Sequence, residues 1–454
     1  MDLTPNKEKY FFVLTYGCQM NENDSEKFAA QLAALGYQTA AQISEADLIL
    51  INTCCVRESA EQKIRGKIGE LKKFKQANPD LLIGLAGCMA QKEQAKLLKK
   101  FPHLDFLIGT HNIHQLGEVI KRREEEQKRV CLAPDSALET EAAFDLPSFS
   151  PQKDKISAWV PISYGCDNFC SYCIVPYVRG RERSRPMPDI LAEIKKLGAE
   201  GRKEITLLGQ NVNSYGKDFK NGLDFADLLR AAAEIDNIER IRYMTSHPRD
   251  MSAKIIDVVA ANQKGNRRIC EHFHLPLQAG SDTILKAMNR GYTTEYYREL
   301  IASLRRKIPG VSITTDLIVG FPGETEELFQ ETLDFVAEIG FDAAYTFLYS
   351  VRSGTPAAAF AGQVPQAVKK ERLQKLAHVQ NAASLALNKQ LENSLQEVLV
   401  EGVSKGEKYT GRTRTNKIVL WDQTGQEERG RLAYVYITNA KTWTLEGQLR
   451  EMRK

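Results

Sequence analysis

The stretch GCDNFCSYC (residues 165–173) places three cysteines within nine positions of a 454-residue chain that has nine cysteines in all. Cys166, Cys170 and Cys173 are separated by three and then two residues, with no fourth cysteine or histidine nearby. A structural zinc site needs four protein ligands, and the ferredoxin pattern has another spacing and a fourth cysteine. Three cysteines can instead hold three irons of a 4Fe-4S cluster and leave the fourth iron open to a ligand. A zinc knuckle or a set of redox thiols is the alternative.

The composition is that of an ordinary globular protein. Hydrophobic residues make up 43% of the chain and charged residues 26%, and the length suggests two to four domains. The N-terminus is polar, and no apolar run is long enough to span a membrane, so we expect a cytoplasmic protein without a membrane partner. Because disulfides are rare in that reducing compartment, clustered cysteines indicate metal or redox chemistry.

Three segments near the N-terminus share one layout, an apolar run that ends in cysteine: FFVLTYGC (11–18), DLILINTC (47–54) and LLIGLAGC (81–88). Their cysteines, Cys18, Cys54 and Cys88, lie 36 and 34 residues apart with helical sequence between them, as in a parallel α/β sheet. The carboxyl ends of such strands line one crevice, so the three thiols should converge. A second cluster with an open iron is the better interpretation, and three small buried residues are the alternative. Cys55 adjoins Cys54 and competes with it as a ligand.

The charged run 121–129 and the Pro- and Ser-containing stretch 145–155 predict a linker. Beyond it, six strands are predicted in alternation with helical sequence: 159–163, 204–208, 240–246, 272–277, 312–320 and 344–350. Six β/α units indicate a partial parallel barrel, and the cysteine loop follows its first strand, at the end where such barrels carry chemistry. A helix near 365–392 then leads to a region rich in Thr, Val, Tyr and Trp that predicts a small β-barrel.

The net charge of +4 is concentrated at the C-terminus, since residues 401–454 hold 11 Lys and Arg against 7 Asp and Glu. Within them, YTGRTRTNK (409–417) combines an aromatic residue with Arg412, Arg414 and Lys417. Phosphate contact with base stacking would suit RNA. A solvated surface loop is the alternative reading of the same residues.

The cysteine spacing, with Tyr172 before the last cysteine, resembles the radical S-adenosylmethionine family. Several further motifs are similar to those of one group within this family, the methylthiotransferases. They are SYGCDNFCSYCIVPYVRGRERSRP (163–186), INTCCVRE (51–58), FHLPLQAGSD (273–282), MNRGYT (288–293) and TTDLIVGFPGET (314–325). It covers essentially the whole chain. Val351, Ser353 and Ala279 depart from the family pattern without removing a cysteine.

The resemblance implies an α/β protein of three domains: a Rossmann-like methylthiotransferase domain (1–145), a partial (β/α)6 radical domain (152–385) and a TRAM β-barrel that binds RNA (389–454). It implies two 4Fe-4S clusters, one held by Cys166, Cys170 and Cys173 and the other by the N-terminal three cysteines. One cluster would cleave S-adenosylmethionine to a 5′-deoxyadenosyl radical, and the other would present sulfur that a first S-adenosylmethionine methylates. The motifs are most similar to the branch that places a methylthio group on carbon 2 of N6-dimethylallyladenosine beside the tRNA anticodon. An external electron donor and a sulfur source are also implied, without being identified.

The resemblance also implies cofactor-binding residues, with an ordinary polar residue of the barrel or a surface charge as the alternative for each. Gly209, Gln210, Asn211, Arg290 and Asp316 are candidates to bind the cofactor, together with Tyr172. Arg179, Arg181 and Arg183 alternate beside the cysteine loop and are candidates to meet tRNA phosphates, with a solvated face as the alternative. His272 and His274 are predicted to be core residues rather than metal ligands.

Three other functions stay open on these grounds. The same chemistry could act on threonylcarbamoyl-adenosine in tRNA or on an aspartate of a ribosomal protein. A non-catalytic iron-sulfur protein that binds RNA would keep the clusters and leave the barrel motifs unexplained.

Overall fold

The computed structural model describes residues 8–55, 58–133, 156–423 and 428–453, without the side chains of 58–60. It divides into two compact units. The first comprises Met1–Lys155, Tyr164–Asp167 and Cys173–Arg185. The second comprises Ile156–Ser163, Asn168–Tyr172 and Pro186–Lys454. Cys166 and Cys173 thus belong to the first unit and Cys170 to the second.

The first unit is built on a six-stranded sheet with parallel pairing throughout, in the order β2-β1-β3-β4-β5-β6. Its strands are β1 (Lys9–Thr15), β2 (Tyr37–Thr39), β3 (Leu48–Thr53), β4 (Leu82–Gly87), β5 (Phe106–Ile108) and β6 (Val130–Leu132). Its helices are α1 (Gln19–Ala34), α2 (Glu58–Ala77), α3 (Cys88–Glu93), α4 (Ala95–Lys100) and α5 (Leu116–Glu126). The predicted parallel α/β arrangement is confirmed.

Helices cover both faces of this sheet. One core joins α1 and α5 to residues such as Leu48 and Leu50, and the other joins α2 and α4 to Ile49 and Ile51. Every residue of β3 and β4 is buried, which explains their continuous apolar sequence.

The charged run 121–129 is not a linker. Residues 121–126 belong to α5, and Arg123 of that helix pairs with the buried Asp105 at 3.0 Å. The run is the solvated outer face of a helix whose inner face carries Val119 and Ile120. The other predicted linker segment, 145–155, lies outside the described residues.

The central part of the chain contains the six predicted strands, all paired in parallel. The strands from here to the last helix are β7 (Ser157–Pro161), β8 (Ser163–Tyr164), β9 (Arg183–Ser184), β10 (Glu204–Leu208), β11 (Arg240–Tyr243), β12 (His272–His274), β13 (Ser312–Val319) and β14 (Ala343–Leu348). The sheets β11-β10-β7 and β12-β13-β14 are joined by a parallel bridge between Ile241 and Ile269, which gives the predicted six-stranded partial barrel.

Helices surround this barrel and share one large apolar core with its strands. They are α7 (Met187–Ala199), α8 (Phe225–Ala233), α9 (Ala253–Lys264), α11 (Thr294–Lys307), α12 (Glu326–Ile339) and α13 (Gln366–Lys389). The short α10 (Asp282–Ala287) packs in a separate small cluster, and the short α6 (Val175–Arg179) follows the cysteine loop. Phe225, Phe273 and Phe341 are completely buried in that core. The predicted helix near 365–392 is α13.

The chain closes with a five-stranded barrel in the order β15-β16-β17-β19-β18. Its strands are β15 (Leu395–Val403), β16 (Tyr409–Thr413), β17 (Ile418–Trp421), β18 (Leu432–Ala440) and β19 (Thr444–Met452). Val398, Val419 and Trp421 fill its interior. The predicted C-terminal β-barrel is confirmed. In the described parts of the chain, no helix is long and apolar enough to cross a membrane.

Candidate functional site

Cys18, Cys54 and Cys88 lie at the carboxyl ends of three neighbouring strands. Cys54 directly follows β3, Cys88 directly follows β4, and Cys18 follows β1 after two residues. Because β1, β3 and β4 are adjacent in the sheet, the three cysteines stand at neighbouring strand ends, and the convergence of their thiols on one cluster stays a prediction. A Cβ on Gly17 would lie 2.8 Å from Cβ of Cys54, so the chain beside Cys18 touches Cys54.

Buried amides fix the backbone around these cysteines. Asn21 donates from Nδ2 to Asn52 Oδ1 at 3.2 Å and to the Thr53 carbonyl at 3.1 Å, and its Oδ1 lies 3.3 Å from Cys18 Sγ. Gly87 has φ of 90°, and a side chain there would come within 2.5 Å of Asn52 Oδ1. These contacts hold the ends of β1, β3 and β4 together. The sequence did not reveal them, since the polar run after Cys18 resembles an exposed helix start.

Cys55 and Cys88 are hydrogen-bonded to each other through their thiols. That bond, with help from Arg179 and against the effect of burial, lowers the pKa of the Cys88 thiol to about 6. The same bond, together with burial, raises the pKa of Cys55. Cys88 is therefore a ready thiolate ligand, whereas Cys55 is held as a neutral thiol among Ile174 and Val178. Cys54 is also buried.

Arg179 is not on the surface where the sequence analysis expected it. Its side chain is 4% exposed and pairs through Nη2 with Asp24 Oδ2 at 2.9 Å. Burial alone would lower the pKa of Arg179, but Cys88, Asp24 and Cys18 raise it above the ordinary value. A guanidinium enclosed in this way cannot reach a tRNA phosphate, so the RNA-binding prediction for Arg179 is wrong.

The other two arginines of the alternating run differ from Arg179. Arg181 is 74% exposed and pairs with Asp167 at 2.9 Å, and Arg183 is partly exposed. Both remain candidates to contact RNA. Cys166 of the adjoining loop is buried, and its amide donates to the Gly180 carbonyl at 3.2 Å.

Cys170 lies beside Arg290 in the second unit. Arg290 donates from Nη1 to Cys170 Sγ at 3.3 Å, from Nη2 to the Pro276 carbonyl at 2.7 Å, and from Nε to Tyr292 Oη at 3.1 Å. Tyr172 packs on a small apolar cluster that includes Met288 and Phe321. Arg290 thus contacts one of the predicted cluster ligands, Cys170. Its contact with the cofactor carboxylate remains a prediction.

Three other predicted cofactor residues, Gly209, Gln210 and Asn211, lie at the carboxyl end of β10. Gly209 and Gln210 follow β10 and are partly exposed. A side chain on Gly209 would meet Ser163 Oγ at 2.7 Å, so the backbone there lies close to the first residue of β8. Asn211 is buried, and its amide donates to Asp250 Oδ2 at 2.6 Å. Asn211 therefore has a structural partner, and its predicted role remains a prediction.

Asp316 on β13 lies 3.5 Å from His274 Nε2 and keeps part of its carboxylate exposed. His272 and His274 both bond to Thr314 Oγ1 at 3.0 Å. Burial, aided by Arg242 and other cations, lowers the pKa of His272 well below its usual value. The interpretation of both histidines as satisfied core residues agrees with these contacts.

Two of the three predicted RNA contacts in the C-terminal barrel are turned inward. Arg414 is 8% exposed and binds both carboxylate oxygens of Glu271, at 2.7 and 2.9 Å. Lys417 is 13% exposed and pairs with Asp342 at 2.7 Å. Both residues fasten the small barrel to the central strands, so the prediction that they bind RNA is wrong. Arg412, 36% exposed and paired with Glu401, remains a candidate.

Within the described residues, no three His, Cys, Asp or Glu side chains are already arranged as a metal site. The chemistry of the donors still fits iron-sulfur clusters. Cys54 and Cys88 are buried and Cys18 is partly exposed at three neighbouring strand ends of the first unit, and the buried Arg179 lies near Cys88 and Cys18. Cys170 likewise has a buried arginine at its sulfur. Such cations offset the charge of thiolates bound to iron.

Models of known families match three parts of the chain. Residues 10–109 match the Uncharacterized protein family UPF0004, residues 160–336 match the Radical SAM superfamily, and residues 389–449 match the TRAM domain. Each match lies within the bounds of one of the expected domains.

Curated relatives cover nearly the whole chain. One from Carboxydothermus hydrogenoformans is 53% identical over 97% of this chain and 99% of its own length. Another from Desulforamulus reducens is 51% identical over 98% of this chain and 96% of its own. Both are named tRNA-2-methylthio-N(6)-dimethylallyladenosine synthase.

Among solved structures, the radical S-adenosylmethionine methyltransferase TsrM from Kitasatospora setae, bound to tryptophan and a SAM analog, has a TM-score of 0.57 at 13% identity. The match covers 77% of this chain and 75% of that one. The cobalamin-dependent S-adenosylmethionine radical enzyme OxsB has a TM-score of 0.50 at 12% identity, over 82% of this chain and 56% of that one. These two matches support the fold.

Proposed function

The chain belongs to the family of tRNA-2-methylthio-N(6)-dimethylallyladenosine synthases, and from this we propose how its residues serve that activity. The enzyme is a radical S-adenosylmethionine methylthiotransferase that modifies carbon 2 of N6-dimethylallyladenosine in tRNA, beside the anticodon. It uses two S-adenosylmethionine molecules. The observation that carries the assignment is identity of about half the residues over nearly the full length of both chains.

Six cysteines hold the two 4Fe-4S clusters in this proposal. Cys166, Cys170 and Cys173 hold the one that binds S-adenosylmethionine, and Cys18, Cys54 and Cys88 hold the auxiliary one. When bound, these groups supply the radical that activates carbon 2 and the sulfur and methyl group that replace its hydrogen. Three cysteines on each cluster leave one iron open for a ligand.

The protein surroundings bury four of these six cysteines, Cys54, Cys88, Cys166 and Cys170. Cys54 and Cys88 are almost fully buried, whereas Cys18 is partly exposed. Arg290 places a positive charge at Cys170 Sγ. Gly209, Gln210 and Asn211 follow the carboxyl end of β10, the end at which such barrels carry chemistry, and this position supports their role in binding S-adenosylmethionine. Asp316 lies within β13, and its partly exposed carboxylate supports the same role.

The domain division that goes with this function is 1–145, 152–385 and 389–454. The three family matches, which fall inside these bounds, support it. The substrate partner is the anticodon stem-loop of tRNA, and an external protein or small molecule supplies electrons. Arg181 is exposed and Arg183 and Arg412 are partly exposed, which supports phosphate contact by these three residues.

The test is anaerobic reconstitution followed by reaction with two purified tRNAs, one carrying N6-dimethylallyladenosine and one carrying N6-threonylcarbamoyl-adenosine. Mass analysis of the nucleosides should show a methylthio group only on the first. Modification of the second tRNA alone would show that the substrate is N6-threonylcarbamoyl-adenosine instead. If 5′-deoxyadenosine forms and neither tRNA is modified, the radical activity is supported and the proposed tRNA substrate is wrong.

A further inference from the structure

Two aromatic side chains lie on the inner face of the last barrel strand, β14. Ala344 of this strand packs in the core shared with the surrounding helices, so Tyr345 and Phe347 face the barrel interior. The Tyr345 ring meets the His274 ring edge to face, with centroids 6.0 Å apart. Tyr345 is nevertheless 57% exposed, and Phe347 is partly exposed. The barrel interior therefore presents accessible aromatic surface on β14.

The neighbouring strand β13 adds a carboxylate and an aliphatic side chain to this surface. Asp316 is the register partner of Tyr345, and Ile318 is the register partner of Phe347. Leu317 between them packs in the helix-facing core, which leaves Asp316 and Ile318 on the inner face. We call Tyr345, Phe347, Asp316 and Ile318 the β13–β14 patch. It has an aromatic and acidic half and an apolar half.

The β13–β14 patch lies beside residues that the proposed function uses. Ile318 packs on the same small apolar cluster as Tyr172, which belongs to the cysteine loop. Asp316, in the other half of the patch, is a proposed cofactor residue. A ligand on Tyr345 and Phe347 would therefore lie next to the place proposed for S-adenosylmethionine.

The patch can be reached from one side of the barrel. The turn between β16 and β17 covers the amino ends of the strands: Arg242 donates to the Thr413 carbonyl at 2.8 Å, and Lys417 pairs with Asp342, the residue before β14. By contrast, β14 is the last strand of its sheet, and no other strand of the described chain pairs with its outer edge. A nucleotide turned out of an RNA loop could enter along that edge.

The chemistry of the patch suits a purine with an apolar substituent. Exposed tyrosine rings stack on nucleobases, and such stacking is a common means of binding single-stranded RNA. Phe347 and Ile318 offer apolar surface to a dimethylallyl group. A threonylcarbamoyl group carries a carboxylate, which would meet the like charge of Asp316. The patch thus favours the first substituent over the second.

We propose that Tyr345 and Phe347 determine substrate specificity: Tyr345 stacks on the target adenine, and Phe347 contacts its dimethylallyl group. The inference rests on the proposed function, which supplies the substrate. It assigns a substrate contact to two residues that the sequence motifs did not single out.

The experiment titrates the full-length, cluster-loaded chain with three anticodon stem-loops. They carry adenosine, N6-dimethylallyladenosine or N6-threonylcarbamoyl-adenosine at the target position. The variants are Tyr345→Leu, Tyr345→Phe and Phe347→Ala. Tyr10→Ala is the matched control, because Tyr10 is a partly exposed strand tyrosine at the start of β1, the end opposite Cys18. Thermal unfolding and a separate titration with S-adenosylmethionine accompany each variant.

Tyr345→Leu should raise the dissociation constant of the dimethylallyl stem-loop by roughly 5- to 100-fold, the range for one base stacked on an aromatic ring. Tyr345→Phe keeps the ring and should bind like wild type. Phe347→Ala should weaken the dimethylallyl stem-loop roughly 10-fold and leave the adenosine stem-loop unchanged, because only the first has the apolar group. Tyr10→Ala should change no stem-loop, and all variants should bind S-adenosylmethionine like wild type.

Equal affinity of wild type and Tyr345→Leu for the dimethylallyl stem-loop would overturn the inference while the function stands. Weaker binding of S-adenosylmethionine with unchanged RNA binding would assign Tyr345 to the cofactor and overturn it as well. If wild type itself prefers the threonylcarbamoyl stem-loop, the proposed substrate is wrong. Should Tyr345→Leu fail to fold, Phe347→Ala still tests the inference, since an unchanged preference for the dimethylallyl group would contradict it.

Discussion

Arg290 donates a hydrogen bond to Cys170 Sγ at 3.3 Å, although 120 residues separate them along the chain. Arg290 follows α10, and its other donors are taken by the Pro276 carbonyl and the Tyr292 hydroxyl. Burial would lower the pKa of Arg290, but Tyr292, Tyr172 and Cys170 raise it, so the charge is permanent. The middle cysteine of the loop therefore has a fixed cation at its sulfur.

Loss of that cation should weaken the cluster that binds S-adenosylmethionine. We expect Arg290→Gln to reduce iron retention roughly 10- to 100-fold and to slow formation of 5′-deoxyadenosine. Arg290→Lys should recover part of both. The control is Arg298→Gln, an exposed arginine paired with Glu338, which should leave iron and product unchanged. Equal iron and product in wild type and Arg290→Gln would contradict the role.

Cys54 and Cys55 can be separated by substitution. Cys55 is hydrogen-bonded to Cys88 and packed among apolar side chains, so Cys55→Ala should keep the auxiliary iron and cost about 1 kcal/mol of folding stability. Cys54→Ala should remove the auxiliary cluster, a loss of about four irons per chain. The measurement is iron content after reconstitution of a chain that lacks the loop cysteines. The reverse pattern would make Cys55 the ligand.

Arg414 and Arg412 should differ in what they affect. Arg414 is buried against Glu271, and breaking such a pair from one side costs about 3–5 kcal/mol, so Arg414→Gln should lower the unfolding temperature. Arg412→Gln should leave the stability nearly unchanged and weaken tRNA binding. The slope of the logarithm of the binding constant against the logarithm of the salt concentration should fall by about one, the effect of losing one phosphate contact. Thermal unfolding and tRNA titration at several salt concentrations measure both. Weakened tRNA binding without loss of stability in Arg414→Gln would contradict the inward placement.

His247 should make the folded chain sensitive to acid. Burial, together with Arg290, Arg249 and Lys217, lowers the pKa of His247 to about 2. The unfolded chain takes up a proton near pH 6.5 and the folded chain does not, so stability is full above that pH and falls as the pH drops. The loss is about 1.4 kcal/mol per pH unit for one such group. Unfolding of the cluster-free chain at pH 7.5 and 5.5 measures it, and His247→Gln should show the smaller difference.

The sequence was sufficient to predict the strands and the positions of the cysteines wherever the local pattern of residues determines the structure. Continuous apolar runs predicted β3 and β4, whose residues are buried on both faces, and the cysteines at their ends followed from the parallel arrangement. The six barrel strands were found in the same way. Motif similarity then identified the family.

Roles that depend on distant partners could not be read from the chain. Three residues look like surface cations in the sequence, but each is buried and paired with a carboxylate that is distant along the chain. The pairs are Arg179 with Asp24, Arg414 with Glu271, and Lys417 with Asp342. The charged run 121–129 had the composition of a linker, but the apolar face of α5 lies just before it. In each case the tertiary partner, rather than the local pattern, decides whether a charge meets solvent.

The central claim is that two sets of three cysteines carry separate parts of one tRNA modification. The most direct measurement compares wild type with the variant in which Cys18, Cys54 and Cys88 are changed to alanine, on tRNA that carries N6-dimethylallyladenosine. We predict that wild type yields both 5′-deoxyadenosine and the methylthio nucleoside, whereas the variant yields 5′-deoxyadenosine alone. A methylthio nucleoside formed by the variant would contradict the account.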